Sequence, residues 1–294
     1  MDAKLSPGAG VLILLGVASC FASNHLCARI AFDHGASVVA AVSVRATFTS
    51  LVLLAMMRIQ GIRLAIPREL RGRTLLAGLL IASQSYCLYS AVALIPPALA
   101  LLVFQTSPML YVLLTWALGR ERPRWRALWP MALALVGLSL ALNLRPGHFD
   151  TDWAAIRTGV AWAFASGASM TVVYYLNANA LKSLDGRLRT FAMTAVTAFL
   201  VIIAGAAAGA HVFPRDAMGW LGLALLACFY CVAMMSLFYM LPRITTTTTA
   251  ALNFEPIALL VLSSLILDIT VAPLQIVGAL LTVSAIAWLG LSKG

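Results

Sequence analysis

Ten runs of mainly apolar residues follow one another along this chain, at 9–32, 37–59, 73–94, 97–118, 127–144, 158–181, 190–210, 217–240, 245–267 and 272–291. A helix needs about 20 such residues to cross the hydrocarbon of a bilayer. Lipid offers backbone N–H and C=O groups no partners, so a spanning segment must satisfy them within itself, as a helix does. The fold class that follows is an all-α polytopic membrane protein of ten transmembrane helices. Composition agrees: 62% of the 294 residues are apolar and 10% charged, against about 45–50% and 25% in a soluble domain. Pro96-Pro97 separates the third run from the fourth, because proline cannot continue a helix. Only 58–73 and 145–157 are long enough for a surface loop or a short interfacial helix. The first run outlasts a signal-peptide core of about 7–15 residues, and is read as a retained membrane helix.

Charge sets the orientation. With the N-terminus in the cytoplasm, the inner connectors collect fifteen Lys and Arg residues, including Arg58, Arg63, Arg68, Arg71, Arg73 and Arg120–Arg126. The outer connectors collect three, Arg145, Arg157 and Arg215. Positive residues favour the inner side, so both termini are expected in the cytoplasm and the number of spans is even. The net charge of +10 is spread over connectors, and no basic face for nucleic acid forms. The five cysteines all fall in apolar runs. They suit small packing residues, Cys228 and Cys231 included.

The two parts of the chain resemble each other. At an offset of 148, residues 98–118 lie opposite 246–266, so that Pro108 meets Pro256 and Gln105 meets Asn253. Five spans is an odd number, so a tandem duplication leaves the second unit upside-down. The chain divides into 1–147 and 148–294, two inverted five-helix repeats, an organisation typical of secondary transporters with a midplane substrate site.

Ten short spans, positive inner loops and a mid-helix proline in the fourth and ninth spans resemble the EamA-type exporters of the drug/metabolite transporter superfamily. Phe104–Arg126 is similar to the family's pattern at the end of the fourth helix, with Gly119-Arg120-Glu121 as its Gly-x-Glu, and Arg45 matches an arginine of the second span. Ala22-Ser23-Asn24 stands where the family has Trp-Gly, and Ile269 stands where Glu121 would repeat. Within the superfamily the chain looks most like the aromatic-amino-acid exporter branch (YddG-like). The resemblance implies export of amino acids or similar small amphipathic metabolites across the cytoplasmic membrane.

Polar groups inside the membrane are costly and mark function by default. Glu255 lies about halfway along the ninth span beside Pro256, which frees a carbonyl nearby. Glu255 could carry a proton, pair with a substrate ammonium, or bond a neighbouring helix. Arg45 and Glu255 lie about 12 and 18 Å below the outer boundary, so a pair between them is allowed. Arg45 could instead hold a substrate carboxylate or snorkel outward. His25, two turns from an outer end, is either a proton site or a packing residue, and Arg29 is read as snorkelling. Pro108 and Pro256 are candidate hinges.

Polar stripes mark helix faces turned from lipid. The sixth span carries Trp162, Ser166, Ser169 and Asn177, the third Ser83, Gln84, Tyr86 and Tyr89, and the fourth Ser107, Tyr111 and Thr115. Asn24, Gln84, Tyr86, Gln105, Tyr111, Trp162, Ser169, Tyr230 and Asn253, with Glu255, are the candidate lining of a substrate cavity. Each could equally serve helix packing. The Thr245–Thr249 run is read as structural, with Thr248 on the face of Glu255.

The function expected is a secondary transporter working by alternating access as a monomer, in contact with lipid and a small solute, without cofactor or metal. Another metabolite or drug-like solute is the alternative substrate. A nucleotide-binding G-x-x-x-x-G-K-[ST] is absent, as are H-E-x-x-H and G-x-S-x-G; a membrane enzyme is disfavoured. A channel would need an oligomeric pore or a ring of like polar groups.

Overall fold

The computed structural model describes residues 7–119, 153–240, 255–266 and 272–291, with 129–130, 132–134, 136–137 and 140 of the segment between. All regular structure among these residues is helical: α1 (Pro7–Asp33), α2 (Val38–Ile59), α3 (Arg68–Leu94), α4 (Pro97–Phe104), α5 (Ser107–Ala117), α6 (Trp153–Tyr175), α7 (Gly186–Ala207), α8 (Ala217–Met240), α9 (Glu255–Ile266) and α10 (Pro273–Leu291). Seven helical stretches among them are long and apolar enough to cross a membrane, α4 and α5 counting as one. Glu255–Ile266 and Pro273–Ala285 are shorter apolar helices. Asn253, Glu121 with the inner loop through Arg126, and the Thr245–Thr249 run lie outside the described residues. The chain is a multi-pass membrane protein.

Local chemistry explains the ends. Ser37 caps α2, its hydroxyl accepting the N–H of Ala40 at 3.1 Å. Asp185 caps α7 through the N–H of Arg187 at 2.8 Å, and Gly209 closes that helix at φ 61°, where a side chain would be strained. Pro96 and Pro97 start α4, as the sequence predicts.

The fourth run is two helices rather than one. Pro108 has no N–H to give to the carbonyl of Phe104, and the chain breaks at Gln105 and Thr106. Thr106 turns both its N–H and its hydroxyl back to the carbonyl of Val103, at 3.0 and 2.8 Å. Helix α6 packs against the break. A Cβ added at Gly167 would stand 3.2 Å from the Phe104 carbonyl oxygen, and Thr171 donates to the carbonyl of Ser107 at 3.1 Å. The sixth run also changes form, ending in a π-helical turn over Leu176–Ala180.

Helices from the start of the chain pack on helices from its end. Helix α1 lies against α8 and α9, α2 against α7 and α8, and α3 against α6 and α7. Helix α4 touches α6 and α9, and α5 touches α6. Small residues allow the approach: at Gly222 of α8 an added Cβ would sit 3.0 Å from the carbonyl oxygen of Cys27 in α1. The central cluster joins Ala22, Leu26, Leu88, Val92, Leu102 and Leu259. Large apolar side chains such as Leu51, Phe199 and Leu265 point outward, as a lipid-facing surface requires.

Candidate functional site

Tyr89 is the centre of the polar core. It is fully buried. Its hydroxyl donates to Asn24 Oδ1 at 3.0 Å, and Asn24 Nδ2 donates to the carbonyl of Leu226 in α8 at 2.7 Å. Asn24 therefore stands inside the α1–α8 contact, with no exposed surface. His25 meets the Tyr89 ring edge-on with centroids 5.8 Å apart, and Phe32 does so at 6.0 Å. The Arg45 guanidinium carbon lies 4.8 Å from the same ring centroid and 4.1 Å from that of Tyr230. Arg45 also donates to Ser85 Oγ at 2.6 Å.

Glu255 of α9 joins this centre through His25. Its partner is His25, Nε2 to Oε1 3.4 Å, and not the Arg45 that depth along the spans allowed. His25 is 5% exposed and Nδ1, its other ring nitrogen, has no hydrogen-bond partner among the described residues. The Glu255 side chain keeps 21% of its surface. Tyr174 of α6 is within electrostatic reach of it. Pro256 is buried behind Glu255.

A second polar strip joins α3 to α6. Gln84 Nε2 donates to Ser166 Oγ at 3.3 Å, and Ser166 donates to the Gln84 carbonyl at 3.0 Å. Ser83 and Ser169 stand 3.5 Å apart. Tyr86 and Trp162 meet edge to face at 5.9 Å, with Tyr86 40% exposed. Tyr230 pairs with Phe21 in the same manner, also at 5.9 Å. Gln105 is half-buried at the end of α4, and Tyr111 half-buried on α5, its carbonyl accepting Thr115 Oγ1 at 3.1 Å. The residues thus fall into two groups. Asn24, His25 and Arg45 contact Tyr89, with Glu255 across His25 and Tyr230 across Arg45, and Gln84, Tyr86, Trp162 and Ser169 line the α3–α6 contact.

Arg29 bonds Asp33 at 3.0 Å and reaches the carbonyl of Val92 at 3.3 Å, and so ties the end of α1 to α3. Sequence reasoning missed a set of ties at the same end of the bundle. The N–H of Ser37 donates to the Val212 carbonyl at 2.9 Å, while its hydroxyl donates to the Ala210 carbonyl at 2.8 Å and accepts the Val212 N–H at 3.1 Å. His34 Nδ1 stands 2.6 Å from Asp216 Oδ2, and Ser43 Oγ 3.1 Å from His211 Nε2. The N–H of Gly219, and then His34, hold the Asp216 carboxyl below its ordinary value of 3.8. At the opposite end Arg187 bonds Gln60 at 2.8 Å, and its side chain holds the Asp185 carboxyl low. Among the described residues no three His, Cys, Asp or Glu gather as a metal site would need.

A protonatable pair and a fixed cation around one buried ring, inside a bundle of membrane helices, suit a solute carrier. Residues 8–143 match the EamA-like transporter family. This EamA-like segment takes in α1 to α5, and with them His25, Arg45 and Tyr89; Tyr230 and Glu255 lie beyond it. The match is to a family of transporters and spans less than half of the chain. The chain is also similar to a solved crystal structure of a protein 19% identical to it, with a TM-score of 0.67 over 96% of each chain. At that identity the likeness is one of fold. No curated protein matches the chain.

Proposed function

We propose that the whole chain is a secondary transporter that exports amino acids, aromatic ones and other small amphipathic metabolites, across the bacterial cytoplasmic membrane. It works by alternating access as a monomer, with residues 1–147 and 148–294 as inverted five-helix repeats and both termini inside. The observation that carries this reading is the approach of His25 and Glu255, which come from opposite halves and meet beside Tyr89 in the polar core. A group at such a seam feels every rocking motion of the halves.

The pairing of helices supports the repeat. Helix α1 lies against α8 as α6 lies against α3, and α1 against α9 as α6 against α4 and α5. Helix α2 meets α8 as α7 meets α3. Thr282 Oγ1 donates at 3.3 Å to the carbonyl of Ala134, 148 residues earlier, the offset that aligns the two halves. Aromatic side chains at Phe21, Tyr86, Trp162 and Tyr230 would suit the ring of an aromatic solute.

The test is uptake and counterflow of labelled amino acids in proteoliposomes. Flux of phenylalanine or a related amino acid is expected, and Glu255→Gln is expected to remove it while leaving a monodisperse protein. No flux of any amino acid through correctly inserted protein would end the amino-acid reading. Full activity in the Gln variant would remove Glu255 from the mechanism.

A further inference from the structure

Arg45 is a buried charge with no anionic partner among the described residues. It is 6% exposed. Its guanidinium has five N–H donors, of which one meets the neutral hydroxyl of Ser85 at 2.6 Å. Nε has no hydrogen-bond partner, and Arg45 enters no ion pair among the described residues. The carboxylate of Glu255 is paired with His25. The rings of Tyr89 and Tyr230 offer their faces to the cation, which offsets part of its lost hydration. The Tyr89 hydroxyl is also within hydrogen-bonding reach of the guanidinium, but like Ser85 it is neutral and supplies no counter-charge. An arginine cannot shed its proton to escape burial, and an unpaired buried charge is costly.

The geometry points to Arg45 as the seat of the substrate's carboxylate. This rests on the exporter reading above and adds to it which chemical group of the solute is read, and by which side chain. A carboxylate matches the guanidinium fork with two parallel hydrogen bonds, and would give Nε, which has no partner, an anionic acceptor. The cation is held by α2, its hydroxyl partner and one ring by α3, and the second ring by α8. A carboxylate bound there closes a contact between helices from both ends of the chain. The solute's tail would meet Tyr230 and, beyond it, Phe21, so acids with an aromatic or apolar tail are favoured. Amines and esters of the same shape leave Arg45 unpaired and are rejected.

Binding of labelled phenylacetate, a carboxylate without an ammonium group, to the purified full chain in nanodiscs tests this. Wild-type protein is expected to bind it, with phenylacetamide and phenethylamine competing roughly 10–100-fold more weakly than unlabelled phenylacetate. Arg45→Gln is expected to lose that preference, and Arg45→Lys to keep a weakened form of it. Phenylacetate bound equally by the Gln variant, or displaced equally well by the amide, overturns the assignment, as does no binding by folded wild-type protein. If Arg45→Gln does not fold, the wild-type competition decides alone. Carboxylate-selective binding without any amino-acid flux would sink the exporter reading and keep the subsite. Flux of phenylalanine and its methyl ester at equal rates would do the reverse.

Discussion

Alanine at Gly78 would place a Cβ 2.6 Å from both Cβ and Cγ1 of Val196. Carbon atoms in contact sit about 3.5–4.0 Å apart, so α3 and α7 must separate by about 1 Å. Val196 has no easy way to yield, because its Cβ is fixed to the backbone and its χ1 is stiff. The carbonyl of Gly78 also accepts Thr197 Oγ1 at 3.2 Å, and separation takes that bond beyond useful length. Overpacking costs about 1–3 kcal/mol, and an interhelical hydrogen bond in a membrane protein is worth about 0.6 kcal/mol. Gly78→Ala is therefore expected to destabilise by about 2–3 kcal/mol. The same substitution at Gly16, within α1, meets nothing within 4 Å. There the loss of glycine's freedom in the unfolded chain should stabilise by about 0.5–1 kcal/mol. Unfolding by SDS in mixed micelles, followed by circular dichroism, measures both. Midpoints that move in opposite directions are the expected result. An unmoved midpoint for Gly78→Ala, or a matching loss for Gly16→Ala, would refute the close α3–α7 crossing.

Two further predictions concern the end of the bundle where α1 turns into α2. Ser37→Ala removes the cap of α2 and two bonds to the 210–212 segment, a loss of about 2 kcal/mol in the same titration; a change under about 0.5 kcal/mol would show that these ties are redundant. Asp216 has its carboxyl pKa depressed on folding, so its stabilisation is in place above 3.8 and fades as pH falls through the lower folded value. The melting temperature of the wild-type protein should drop more steeply below pH 4 than that of Asp216→Asn, and parallel pH profiles would count against the tie.

Most helices were legible in their apolar runs because length and hydrophobicity are local properties. The run 217–240 begins where α8 does, at Ala217, and 9–32 ends one residue before α1 does. Pro108 announced trouble in the fourth span, and α4 ends just before it. The partner of Glu255 was not legible. Depth along a span follows from counting residues, but which way a helix is rotated does not, and rotation is what turns His25 rather than Arg45 toward the carboxylate. Tyr89 looked like one member of a polar stripe at three-residue steps. Its place at the centre depends on side chains from α1, α2 and α8 gathering about one residue of α3, which no single helix encodes. The ties of Ser37 and His34 to 210–216 join residues more than 170 positions apart, through short loops with no pattern of their own.

Those ties have a consequence for how a solute could leave by that face. Every one of them joins the α1–α2 turn, or the start of α2, to the stretch that follows α7. A swing that parts these segments cannot slip the bonds one at a time, because both sides are short turns held by rigid helices. On the exporter reading, the arrangement would act as a catch with a threshold: small fluctuations would be absorbed, and opening would come in one step once the strain exceeded what the set can hold. Ser37, whose hydroxyl and N–H make three of the bonds, is where that threshold can be adjusted without touching the polar core around Tyr89.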